Sequence, residues 1–213
     1  MTERLMQRFV ASDVEAHMTQ TRPGGRTART RAAVLQATVD ELIESGYAGL
    51  SMESVAHRAG VHKATVYRRW GTLDGLLVDA LTFFADQSVP APDTGGIDGD
   101  LRELARSALA VLTDRAGQAL VRAMVSAGHH DQVAQVIRAF WAEHTTMVAE
   151  IVTRAVRRGE LPSGTQPTDV SRAIGAPLYM RLLVTAEPLD SAAADQSAAA
   201  VAAAARAGVF VSS

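Results

Sequence analysis

The chain has 213 residues, 47% of them hydrophobic and 21% charged, with 21 basic and 23 acidic side chains and no cysteine. This length allows one large domain or two small ones with a real core, and the missing cysteine excludes a disulfide-stapled secreted fold, a thiolate nucleophile and Cys-ligated zinc. The near-neutral sum hides an uneven distribution: residues 22 to 70 hold eight basic groups against four acidic ones, while residues 81 to 213 hold 11 against 14.

The first 20 residues carry Glu3, Arg4, Arg8, Asp13 and Glu15 where a signal peptide needs an apolar core. No segment approaches the roughly 18 apolar residues of a membrane helix. A soluble cytoplasmic protein with no membrane partner is expected. The 39 alanines favour helix, because Ala loses no rotamer freedom on folding. Alternating β-branched runs with hairpin signals are missing, so the expected fold class is all-α.

Residues 1–25 read as a flexible arm ending in Thr-Gln-Thr-Arg-Pro-Gly-Gly. From Thr27 to Ser45, Val34, Leu35, Thr38, Val39, Leu42 and Ile43 recur at helical spacing, and Gly46 supplies a left-handed stop. Ser51 then caps a short second helix with Glu53 in its first turn. Gly60 ends that helix, Lys63 to Trp70 form a third, and Gly71-Thr72 separates it from a fourth running from Leu73 towards Gln87. Pro90, Pro92, Gly95, Gly96 and Gly99 mark a loop over residues 88–100. Further helices are expected at about 100–113, 116–128, 131–158, 168–187 and 191–209, with a kink at Pro177, which removes a backbone donor.

Residues 51–70 fit a helix-turn-helix: a small Ala56, a Gly60 able to take positive φ, and Val61 and Val66 where two helices must pack. The opposite face presents Lys63, Ala64, Thr65, Tyr67, Arg68 and Arg69, cations for phosphates and small or hydroxyl groups for base edges. By itself, such a corner is common in α-proteins.

Residues 28–84 as a whole resemble the DNA-binding region of TetR-family transcriptional regulators. The resemblance is carried by Glu44-Ser45-Gly46-Tyr47, Leu50-Ser51-Met52-Glu53-Ser54-Val55-Ala56, Ala59-Gly60-Val61-His62-Lys63-Ala64-Thr65-Val66-Tyr67-Arg68-Arg69-Trp70 and Leu76-Leu77. It implies an all-α protein with a flexible arm at 1–25, a helix-turn-helix DNA-binding domain at 26–72 and a ligand-binding and dimerisation domain at 73–213. It also implies a homodimer that binds double-stranded operator DNA and answers to a small-molecule effector. On this sequence, Ser51 would cap helix two against a phosphate, and Lys63, Ala64 and Thr65, beside His62, would lie nearest the bases. Tyr67, Arg68 and Arg69 would grip the backbone. Trp70 is expected in the core. Leu73 stands where the family often has a phosphate-touching Lys. Arg157-Arg158-Gly159-Glu160-Leu161-Pro162 and Ala176-Pro177-Leu178-Tyr179-Met180-Arg181-Leu182-Leu183 resemble one subfamily more loosely.

Arg22, Gly24, Gly25, Arg26 and Arg29 suit a minor-groove arm and equally a solvated tail. An effector pocket is expected among Phe83, Phe84, Met124, Phe140, Trp141, His144, Met147 and Tyr179, for a mainly hydrophobic ligand. His129-His130-Asp131 and His144 lack the spacing that puts two metal ligands on one helical face, so neither metal nor cofactor is expected. No nucleophile with a base, paired carboxylates or phosphate-binding loop supports an enzyme. A constitutive or architectural DNA-binding protein is the alternative. Dimerisation is assigned to 168–187 and 191–209, with Ala202 and Ala203 exchanged for Glu expected to give folded monomers.

Overall fold

The computed structural model describes residues 25–85 and 90–212, with the backbone alone described at Arg26 and Ala85. The described residues form nine α-helices: α1 (Gly25–Gly49), α2 (Met52–Arg58), α3 (Lys63–Trp70), α4 (Leu73–Ala85), α5 (Ile97–Thr113), α6 (Arg115–Ala127), α7 (Asp131–Arg157), α8 (Pro167–Met180) and α9 (Ser191–Arg206). An isolated bridge between Thr165 and Val211 is the extent of β-pairing among them.

α1 starts earlier than Thr27, so Arg26 and Arg29 belong to its opening turns and not to an extended arm. Arg29 Nε donates to the Gly25 carbonyl at 3.1 Å. Arg22, Gly24 and the rest of the expected arm lie outside the described residues. Gly46 (φ 65°, ψ −178°) interrupts α1 in a conformation that is essentially open to glycine alone.

Two main cores divide the molecule. The first unites Val34, Leu35, Val39 and Leu42 of α1, Met52, Val55 and Ala56 of α2, Val66 of α3 and Leu76, Leu77 and Ala80 of α4 with Leu120, Ala123 and Ala127 of α6 and Val133 of α7. The DNA-binding body is therefore closed by α4, α6 and the start of α7, where the sequence suggested a boundary after Thr72. Leu73 packs against this core.

The second core joins α5, the far half of α7, α8 and α9. The Arg-Arg-Gly-Glu-Leu-Pro segment serves it structurally. Glu160 accepts from the Ile97 backbone N–H at 2.6 Å, capping α5, while Arg158 pairs with Glu160 at 2.7 Å and with the fully buried Asp100 at 3.4 Å.

α9 buries Ala194, Ala198, Val201, Ala202 and Ala205, and Ser197 Oγ donates to the Ile174 carbonyl at 2.8 Å. Its small side chains let it lie close to α5 and α8. Ala202 is 1% exposed, so it belongs to the protomer's own core and not to an outer face; Ala203 alone of that pair is exposed. Two bidentate ion pairs tie α9 to α5, Arg106–Asp195 and Arg206–Asp98.

α8 continues as α-helix through Pro177 and widens afterwards into a π turn, Arg181–Thr185, that ends at Ala186 (φ 52°). The irregularity expected at the proline is carried on its C-terminal side. The helical pattern read over 168–187 therefore ends as a π turn and not as α-helix.

Candidate nucleic-acid interface

α2 begins at a capping box: Ser51 Oγ accepts from the Ser54 N–H at 3.0 Å, and the Ser51 N–H donates to Ser54 Oγ at 3.3 Å. Two otherwise orphaned donors are satisfied, with Ser54 in the position where Glu or Gln is usual. Glu53 adds an acidic group to the first turn. At the other end Val61 N–H bonds to the Ala56 carbonyl (3.0 Å) and Gly60 N–H to that of His57 (3.1 Å). This is a Schellman closure, with Gly60 at φ 65°. Val66 on α3 and Val55 and Ala56 on α2 are buried together, which fixes the angle at which α3 is presented.

On the outer side His62, Lys63, Ala64, Tyr67, Arg68 and Arg69 are exposed, with Thr65 half-buried at the edge. Lys63 and Arg68 enter no ion pair among the described residues. Two other cations of the basic N-terminal third are engaged internally. Arg58 bridges Glu41 and Glu44 of α1, at 2.5 Å each, and the hydrogen bond from Arg58 holds the Glu41 carboxyl below its ordinary value. Arg31 makes a two-point contact with Asp79. The sequence sum of charge thus overstates what faces outward, while the cations of α3 itself stay available.

Tyr67 is not idle in the absence of DNA. Its hydroxyl donates to Glu53 Oε1 at 2.9 Å, and this bond holds the phenol above its ordinary pKa. Trp70 Nε1 donates to Asp79 Oδ2 at 2.9 Å, and the Arg69 guanidinium lies 5.4 Å from the Trp70 ring centre. Asp79 therefore joins α1, α3 and α4 through Arg31 and Trp70. Burial pushes its carboxyl up, but the hydrogen bonds from Arg31 and then Trp70 outweigh this and hold it below the usual aspartate value. Asp79 and the tie between Glu53 and Tyr67 escaped the sequence reading, because nothing in the spacing shows that Glu53 meets Tyr67 or that Asp79 meets Trp70.

The expected pocket residues fall into three places. Phe140, Trp141 and His144 of α7 meet Tyr179 of α8. The Phe140 and Trp141 rings are 5.4 Å apart, His144 stacks on Phe140 at 6.4 Å, and Trp141 meets Tyr179 at 5.9 Å. Burial lowers the His144 pKa and raises that of Tyr179. Neither makes a hydrogen bond among the described residues. Phe83, Phe84 and Met124 pack instead on the DNA-binding core, and Met147 on the second core. Clefts lined by Arg122, Arg181 and Leu182, and by Glu150, Thr153 and Arg157, lie apart from the aromatic group. Among the described residues no group of three or more His, Asp or Glu side chains is placed to hold a metal ion.

A capped helix, a glycine turn and a second helix with free cations on its outer face, closed by a larger helical body, define a helix-turn-helix transcriptional regulator. Residues 34–80 match the profile of bacterial regulatory proteins of the tetR family, and residues 91–201 that of the tetracyclin repressor-like C-terminal domain. The HTH-type transcriptional regulator AqdR of Rhodococcus erythropolis is 35% identical over 155 residues, 73% of this chain and 75% of that protein. The DNA-binding transcriptional repressor TetR of Mycobacteroides abscessus is 34% identical over 137 residues, 61% of this chain and 69% of that one. The solved SmeT–triclosan complex superposes with a TM-score of 0.60 at 21% identity, covering 80% of this chain and 90% of the other. The chain belongs to the TetR family of transcriptional regulators.

Proposed function

We propose that the protein is a cytoplasmic, ligand-released repressor that binds a palindromic operator as a homodimer. The observation that carries this reading is the pairing of an outward cationic face on α3 with a half-buried aromatic cluster between α7 and α8 that includes the polar side chains of His144 and Tyr179. The cluster suits a mainly apolar effector with one or two neutral polar groups, the kind of molecule that SmeT holds in its triclosan complex.

The dimer is assigned to the outer faces of α8 and α9. Met180 is 50% and Val184 68% exposed, and Ala192, Ala199, Ala200 and Ala203 form an exposed stripe at helical spacing. A two-fold dimer would present two copies of α3 to successive major grooves, about 34 to 36 Å apart. Effector binding between α7 and α8 would favour a different separation.

Selection of binding sites from a random duplex pool tests the DNA half of the proposal. Arg68→Ala is expected to retain the wild-type motif and weaken binding on every sequence, with the salt slope smaller by about one phosphate contact. Lys63→Ala and Thr65→Ala are expected to alter the motif, because they stand at the base-facing start of α3. An unchanged motif in both would count against their role in base readout.

Calorimetric titration of an apolar effector with and without the selected duplex tests the ligand half. The two ligands must weaken each other by one common factor. Equal affinities in both titrations would leave a DNA-binding dimer without a switch.

A further inference from the structure

The helix-turn-helix joins the rest of the molecule at two places, and one carboxylate serves both. Tyr47 lies just before α2, and Asp74 lies in the first turn of α4, just after α3. The Tyr47 hydroxyl donates to Asp74 Oδ1 at 3.4 Å, and His130 Nδ1 stands 2.7 Å from Asp74 Oδ2. The Tyr47 and His130 rings meet edge to face at 6.4 Å. An ionised carboxylate can only accept, so His130 Nδ1 carries the proton it donates.

His130 is the N-cap residue of α7, yet its side chain makes no capping bond. The imidazole is committed across the chain, to a residue 56 positions away. α7 has 27 residues and is about 40 Å long at 1.5 Å per residue. Its far half is packed in the second core through Val148, Ile151, Val152 and Ala155, and its middle carries Phe140, Trp141 and His144. The start of α7 also enters the DNA-binding core through Val133, and the bond from His130 to Asp74 is the short, directional polar contact at that end, so a shift of α7 alters it.

We propose that Asp74, held between Tyr47 and His130, is the joint through which α7 sets the placement of the helix-turn-helix. Asp79, further along α4, holds α3 to α1 and α4 within the DNA-binding body; Asp74 fastens that body to α7. The use of this joint in regulation rests on the ligand-released reading given above, while its mechanical role exists without effector and is tested without one.

The test is hydrogen–deuterium exchange of the 213-residue protein, free of effector, for wild type, His130→Leu, Asp74→Asn and Tyr47→Phe. Loss of the joint should speed exchange in peptides covering 52–70 by about threefold or more, while peptides covering 191–206 keep wild-type rates. If His130→Leu speeds both regions, global destabilisation is responsible and Tyr47→Phe, which removes only a hydroxyl, decides. Wild-type rates over 52–70 in all three variants would overturn the proposal.

A double-mutant cycle adds a readout that simple scaffolding would not move. Affinity for the duplex selected by the wild type is measured for Trp141→Ala, His130→Leu and the pair. The change produced by Trp141→Ala should be largely lost in the His130→Leu background, and strict additivity would count against transmission through the joint. A positive exchange result with no effector able to release the duplex would sink the sensor reading and leave the joint standing.

Discussion

Ala202→Glu is expected to prevent folding of the second core, while Ala203→Glu, one residue further on, leaves the protomer intact. Ala202 is 1% exposed and packed among Ala198, Val201 and Ala205. An unpaired buried charge, added to overpacking, costs on the order of 5 kcal/mol or more, against a total stability of about 5 to 15 kcal/mol. Circular dichroism and tryptic digestion of the two variants are the measurements. Ala203 lies on the exposed stripe of α9, so Ala203→Glu should leave the helical signal unchanged and shift sedimentation from dimer to monomer. A folded, wild-type-like Ala202→Glu protein would mean that α9 does not pack on α5 and α8 as described. A monomeric wild type at micromolar concentration would remove the dimer assignment.

Asp79→Ala should lower both stability and DNA affinity. The substitution leaves the Trp70 indole N–H and the two-point contact from Arg31 without their shared acceptor. The Arg31 and Asp79 side chains are 30% and 26% exposed, so water recovers part of the loss. The expected cost is about 1 to 3 kcal/mol, which for a chain of this size lowers the melting temperature by about 2 to 10 °C. DNA affinity should fall as well, because Trp70 is the last residue of α3 and its bond to Asp79 fixes that helix against α4.

The pH dependence follows in sign. The folded carboxyl of Asp79 is held below its ordinary value, so its contribution is fully present above the unfolded pKa near ~4. It is lost as pH falls through the lowered folded value. The stability gap between wild type and Asp79→Ala should therefore be constant near neutrality and shrink below about pH 4. A gap that stays constant down to pH 2 would exclude the ion pair as its source.

What the sequence could disclose follows from how local each feature is. α2 and α3 fall where Ser51, Gly60 and Gly71 punctuate them, because caps and positive-φ glycines act on their immediate neighbours. Trp70 could be placed in the core, but not on Asp79, since that bond depends on the angle between α3 and α4. Arg58 counted among the eight basic groups of residues 22–70, although it is taken up by two glutamates of α1; the pairing becomes visible only once α2 lies across α1. Four of the expected pocket residues, Phe140, Trp141, His144 and Tyr179, come together because α7 and α8 are neighbours. Phe84 and Met124 have the same apolar character but go to another core, and composition cannot tell those destinations apart. Ala202 and Ala203 show the same limit: in a helix made mostly of alanine, hydrophobicity does not say which face is inner.

An interface of alanines also has no shape with which to count. If α9 slid along α5 by one turn, the two helices would meet over a nearly identical surface, and burial alone would scarcely distinguish the two alignments. The distinction falls to the bond from Ser197 to Ile174 on the α8 side and, on the α5 side, to charge. Arg106 meets Asp195 near one end and Asp98 meets Arg206 near the other, opposite polarities at two marks set about 12 Å apart along α5. These exposed pairs add little to stability individually, but a slipped α9 would satisfy neither, so they work as a vernier that sets the alignment of an otherwise featureless seam. Exchanging the partners of one pair should preserve that alignment, whereas reversing a single charge should loosen it.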